Sequence, residues 1–119
     1  MFETSDDARR EGLERALEAR RGRAEAMEWV YESIKSGEAV TFTGFETRYA
    51  MQPWFKKTKV ERLFRAIPGV GTKTAPKVMA ELDVERAKSI AGLGNKQRGN
   101  VSAKFDKMAA AAAAKHSKR

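Results

Sequence analysis

The sequence predicts an all-α fold, a single compact domain of five to six helices with a long N-terminal helix and a helix-hairpin-helix C-terminal half. Three observations carry that expectation. Apolar residues recur at three-, four- or seven-residue steps along most of the chain, the spacing of one helix face. The only run with β character, Ala39 to Phe42, is four residues long and isolated, too little for a sheet. Two Gly-apolar-Gly corners, Gly69-Val70-Gly71 and Gly92-Leu93-Gly94, interrupt the helical pattern 23 residues apart. At 119 residues the chain suits one core and not two.

Ser5-Asp6-Asp7 is a good helix start, with acids in the first turn, and Leu13, Leu17, Ala24, Met27, Tyr31 and Ile34 supply the stripe that follows. This first helix is expected to end near Lys35-Ser36-Gly37. Arg20, Arg21 and Arg23 interrupt the stripe, so the part before about Ala24 is expected to project beyond the core or to fray. After an extended link, Thr43-Gly44-Phe45-Glu46 reads as a capping box opening a short helix through about Met51, which Pro53 ends. Thr58-Lys59-Val60-Glu61 repeats the device and opens a helix that carries Val60, Leu63, Phe64 and Ile67 on one face.

Beyond Pro68-Gly69 a fourth helix is expected to bury Ala75, Val78, Met79 and Leu82, with Thr72 or Thr74 as its cap. Pro76 is acceptable there because in a first turn its missing N–H is lost anyway. Asp83 is expected to cap a short fifth helix holding Val84, Ala87 and Ile90, and Val101 and Phe105 to anchor the last one. Ala109 to Ala114 favour helix by propensity but offer no stripe, so past Met108 a fraying helix with a basic tip is expected. The chain thus divides into a long helix over 1–37, a core over 38–108, and an alanine-rich helix end with a basic mobile tail over 109–119.

The first glycine corner carries the functional reading. Two glycines around one apolar residue let the backbone reverse at positive φ and bring bare N–H groups close to an anion. A helix start just behind them adds unpaired amides and the positive end of the helix dipole. Lys73 and Lys77, four residues apart, would flank that anion. In the second corner Gly92, Gly94, Asn95, Lys96, Gln97 and Arg98, with Lys88 before them, are placed to hold another phosphate. Charge agrees: residues 1–52 hold eight bases and eleven acids, a net of −3, whereas residues 53–119 hold sixteen bases and five acids, a net of +11. Concentrated positive charge on the half with the corners is the footprint of a nucleic-acid binder.

With no cysteine there is no disulfide framework, thiolate nucleophile or Cys-based zinc site. No apolar run approaches the roughly 20 residues that span a bilayer, and the acidic start has the wrong polarity for a signal peptide. The expectation is a monomer in the cytoplasm, without cofactor, metal or membrane. Catalysis finds little support: the basic half holds only Glu61, Glu81, Asp83, Glu85 and Asp106 as acids, and no serine–histidine pair or metal cluster is apparent.

The order Leu63-Phe64-Arg65-Ala66-Ile67-Pro68-Gly69-Val70-Gly71, then Val78-Met79-Ala80-Glu81-Leu82, then Gly92-Leu93-Gly94-Asn95-Lys96-Gln97, resembles the actinobacterial integration host factor family. These are small nucleoid proteins that share a helix–two-turns–helix domain with a small-subunit ribosomal protein. The likeness is best over roughly residues 58–106, and Ala19-Arg20-Arg21-Gly22-Arg23-Ala24-Glu25 is similar to the family's basic first helix. It implies a nucleoid-associated architectural protein that binds double-stranded DNA through backbone phosphates, with low sequence specificity, and bends it. Positions matching Thr74 and Pro76 are usually arginines in that family, and Lys88-Ser89-Ile90-Ala91 stands where an arginine-rich run is usual. Lys73, Lys77, Lys88, Lys96 and Arg98 are the cations available instead.

Other readings stay open beside these. Gly69-Val70-Gly71 also serves as a plain helix connector, and Gly92-Leu93-Gly94 as a helix cap and turn. Arg20, Arg21 and Arg23 lie among Glu14, Glu18, Glu25 and Glu28, so a solvated face laced with ion pairs competes with a secondary DNA contact. Trp54 and Phe55 read first as core or loop packing and second as a wedge for a base step, with Lys56 and Lys57 beside them touching backbone. RNA or the ribosome is the alternative partner; a glycosylase or nuclease accessory fragment and a protein-interaction module are the remaining classes.

Overall fold

The computed structural model describes residues 2–117, and their side chains from residue 6 onward. Five α-helices follow in order: α1 Phe2–Lys35, α2 Phe42–Tyr49, α3 Val60–Arg65, α4 Thr74–Glu81 and α5 Asn95–Ser117. Single 3-10 turns stand at Phe55–Lys57 and Ile90–Gly92. Among the described residues there is no strand, only an isolated antiparallel bridge between Lys59 and Ser89. At 1.5 Å per residue α1 alone spans about 51 Å, which accounts for most of the molecule's 61 Å length.

α1 is continuous from Phe2, three residues ahead of the acidic start the sequence suggests. Its side chains from Asp6 to Glu18 are exposed, Leu13 and Leu17 included, and burial becomes complete at Ala26, Val30 and Ile34. Gly22 lies against Trp54: a Cβ there would fall 2.2 Å from the indole Nε1. Trp54 and Phe55 are both 6 % exposed, which removes the base-wedge reading, and they join a ring cluster with Phe45, Tyr49 and Trp29.

α2 starts two residues earlier than the Thr43 capping box requires. Thr41 is the cap: its Oγ1 accepts from the Gly44 N–H at 2.9 Å. The flanking Val40 and Phe45 are both buried, as in a hydrophobic staple. Core demand decides between the two threonines, because capping at Thr41 turns Phe42 inward against Phe105. The Phe42 N–H donates to Asp106 Oδ1 at 2.8 Å, which ties the start of α2 to α5.

Thr58 is likewise not a cap. It is fully buried, its hydroxyl donates to the Trp54 carbonyl, and its own carbonyl accepts from the Ile90 N–H. Val60 N–H donates to the Lys88 carbonyl, so residues 58–60 and 88–90 lock together as two extended pieces. That pairing replaces the expected helix over Val84 to Ile90. Asp83 has φ of 55° and ends α4 instead of capping another helix. Val84 N–H then donates back to the Met79 carbonyl.

α5 closes the core. Val101 and Phe105 are fully buried, and Phe105 meets Phe64 of α3 at 5.9 Å as well as Phe42. The helix continues to Ser117 with Ala109 and Ala113 at 0 % and 3 % exposure, where fraying past Met108 was expected. Small side chains need no wide apolar stripe, because they let a helix lie close against its neighbour. The basic tip, Lys118 and Arg119, lies outside the described residues.

Candidate nucleic-acid interface

α3 delivers the chain to the first corner. Ala66 and Ile67 close it with 3-10 bonds to Leu63 and Phe64, and Ile67 and Val70 hold the turn from inside. Gly69 takes φ of +89°, a value open to glycine at little cost, while Gly71 is not in that region. Both glycines are exposed, with nothing within 4 Å of where a Cβ would point. The corner is uncovered.

Its amides are free as well. Among the described residues none accepts a hydrogen bond from the N–H of Gly71, Thr72, Lys73 or Thr74; the nearby bonds run from Val70 N–H to Ile67 and from Ala75 N–H to Gly71. Lys73 occupies the cap position of α4 with no side-chain cap bond, so Thr72 and Thr74 do not close the helix start as expected. Pro76 sits in the first turn and brings no N–H of its own. Four consecutive donors and a helix N-terminus therefore face solvent, with Thr72, Lys73, Thr74 and Lys77 exposed around them. Among the described residues neither of these lysines is in an ion pair.

The second corner is built differently. Gly92 N–H donates to Ser89, Leu93 N–H to Ile90, and Gly94 N–H to Gln97 Oε1 at 3.2 Å. Neither glycine has positive φ. Gln97 Nε2 also donates to the Asp83 carbonyl, and the Lys88 stem lies across Gly92. Arg98 turns inward, paired with Glu46 of α2 and donating to the Ile90 carbonyl. The Gly92 and Gly94 amides, the Gln97 side chain and the Arg98 guanidinium are thus engaged within the fold, where the sequence expectation left them free for a phosphate. Asn95 and Lys96 remain exposed at the start of α5, where their amides and that of Gln97 have no acceptor among the described residues.

Of the secondary residues, Arg20, Arg23 and Lys57 line one cleft together with Arg15, Pro53 and Trp54. Arg21 lies on another cleft with Glu18 and Glu25, and Lys56 is exposed apart from both. Among the described residues no ion pair laces α1, the three pairs being Arg86–Glu61, Arg98–Glu46 and Lys104–Glu81. Arg62 and Arg65 carry no motif in the sequence. They line a cleft of about 470 Å³ with Met27 and Ala66. Burial, and then the guanidiniums of Arg23 and Arg65, hold Arg62 below the usual range for arginine. Their signal was periodicity, as both fall off the Val60, Leu63, Phe64, Ile67 face.

An all-helical fold with an open glycine corner between two short helices defines a helix–two-turns–helix protein, and residues 50–105 match the S13-like H2TH domain family. The integration host factor of Mycolicibacterium smegmatis is 34 % identical over 102 residues, covering 86 % of this chain and 92 % of that protein. That of Mycobacterium tuberculosis is 33 % identical over 101 residues, covering 85 % and 91 %. A solved structure of sIHF bound to an 8 bp palindromic DNA superposes with a TM-score of 0.57 at 28 % identity, covering 77 % of this chain and 98 % of that one. The chain belongs to this integration host factor family.

Proposed function

We propose that the protein binds double-stranded DNA through backbone phosphates as a nucleoid-associated architectural protein, with little base readout, and bends what it holds. The observation that carries this reading is the run of four unpartnered N–H groups from Gly71 to Thr74 at an uncovered corner, between Lys73 and Lys77. Such donors and a helix dipole suit a phosphate oxygen, and phosphate contacts fix position without reading sequence. The start of α5, with Asn95 and Lys96, provides a second point of attachment, and gripping at two separated points favours a bent duplex. Membership of a family that includes a DNA-bound solved structure supports DNA as the partner. Among the described residues no cluster of His, Cys, Asp or Glu suits a metal, and no helix is long and apolar enough to cross a membrane.

The test is Gly71→Asp, with circular dichroism to follow the helices and retention on random duplex DNA as the readout. A carboxylate at that point repels the phosphate without touching the core. Weakened binding with helices intact supports the corner as a point of contact; unchanged binding refutes the corner's part in it. Competition with folded RNA of equal length is expected to displace the protein less well than duplex DNA.

A further inference from the structure

A second basic surface lies where Met27 of α1 meets α3, on the helix that leads into the glycine corner. Arg62 and Arg65, three residues apart on α3, face the part of α1 that carries Met27, and Arg23 precedes Met27 by one turn. Beyond Arg23 the same side of α1 presents Arg15 and Arg20 to a second cleft, of about 360 Å³, which Lys57 completes. Among the described residues no Asp or Glu lines either cleft. Glu61, the one acid of α3, is held by Arg86, and none of Arg20, Arg23, Lys57, Arg62 and Arg65 takes part in an ion pair among the described residues.

Like charges gathered without a counter-charge are unfavourable, most of all where one is half-buried, as Arg62 is. The depression of Arg62 by burial and by its two arginine neighbours reports that cost. An anion seated between the guanidiniums removes it. A small anion suits one cleft, but two open clefts joined by one face of α1 suit a polyanion. Duplex DNA carries one charge per about 3.4 Å on each strand, and guanidinium forks bind phosphate in two-point fashion.

We propose that Arg23, Arg62 and Arg65, extended by Arg20 and Lys57, form a second phosphate-backbone surface for duplex DNA that works independently of the Gly71 corner. This rests on the reading of the protein as a DNA binder, but not on the corner being the point of contact. Arg62 and Arg65 line the cleft beside Met27, and Arg23, near enough to depress Arg62, leads from it to the cleft of Arg20 and Lys57.

The experiment compares the full chain with Arg62→Ala/Arg65→Ala, with Arg62→Lys/Arg65→Lys, with Gly71→Asp, and with Gly71→Asp combined with the double alanine change. Binding to a random duplex is measured across a salt series. Removing two phosphate contacts flattens the log-log slope by about 1.8 and weakens binding at 0.1 M salt by on the order of tenfold to a hundredfold. The lysine variant restores the slope, since it restores the charge, whereas a merely structural defect would persist. Residual binding of Gly71→Asp vanishes when the alanine changes are added. A wild-type slope in the double alanine protein overturns this proposal and leaves the corner standing. The reverse result, with Gly71→Asp binding normally and the arginine variant failing, overturns the corner and leaves this surface.

Discussion

Three glycines of this chain separate three kinds of backbone requirement, and each makes a different mutant. Gly22 lies mid-helix, where glycine costs up to about 1 kcal/mol relative to alanine, yet a Cβ there would collide with the Trp54 indole. Gly22→Ala gains propensity but displaces a buried ring, so a net loss of about 1–3 kcal/mol is expected in urea titration. Gly69 has open space but φ of +89°. Gly69→Ala is therefore expected to lose on the order of 1 kcal/mol from strain alone. Gly71 has neither constraint, and Gly71→Ala is expected to leave the midpoint unchanged while hindering backbone approach to the corner. Equal stability with weakened DNA retention is the signature; a destabilised Gly71→Ala would place its role inside the fold.

Element by element, what the sequence could show was the apolar periodicity, and what it could not was the competition between neighbours. The five helices and both glycine corners follow from spacing and turn chemistry. The cap of α2 moved from Thr43 to Thr41 because Phe42 is needed under Phe105. The helix expected after Asp83 gave way to pairing between residues 58–60 and 88–90, a contact between segments some 30 positions apart that no local pattern reports. Arg98 looked like a phosphate ligand because a basic residue near a helix start usually is exposed; its partner Glu46 lies 52 positions away. Arg98→Ala is accordingly expected to lower stability by roughly 1 kcal/mol and to leave the salt slope of DNA binding unchanged, which titration of the variant in both assays checks. The alanine run of α5 gives a second contrast. Ala109→Leu, at a buried position, is expected to cost about 1–3 kcal/mol by overpacking, and Ala110→Leu, at an exposed one, close to nothing.

For the whole molecule, the relevant quantity is how many phosphates it neutralises at once, because that number sets the response to salt. Net charge alone does not point to the proposed second surface: residues 1–52 are acidic overall, yet Arg20 and Arg23 from that half neighbour Lys57, Arg62 and Arg65 from the basic half. Of the glutamates of α1, Glu18 and Glu25 line a neighbouring cleft, which they share with Arg15 and Arg21. Counting Lys73, Lys77, Lys88 and Lys96 as single contacts gives a slope of about −3.6, and a rise from 50 to 200 mM salt then weakens binding about a hundredfold. Adding Arg23, Arg62 and Arg65 steepens the slope to about −6, and Arg20 and Lys57 carry it towards about −8. A measured slope of about −4 with full-length protein means that one face is engaged, and a slope of about −6 to −8 that both are. A slope close to zero would contradict phosphate recognition by either face, because amides and guanidiniums that displace no counterions cannot be holding the backbone.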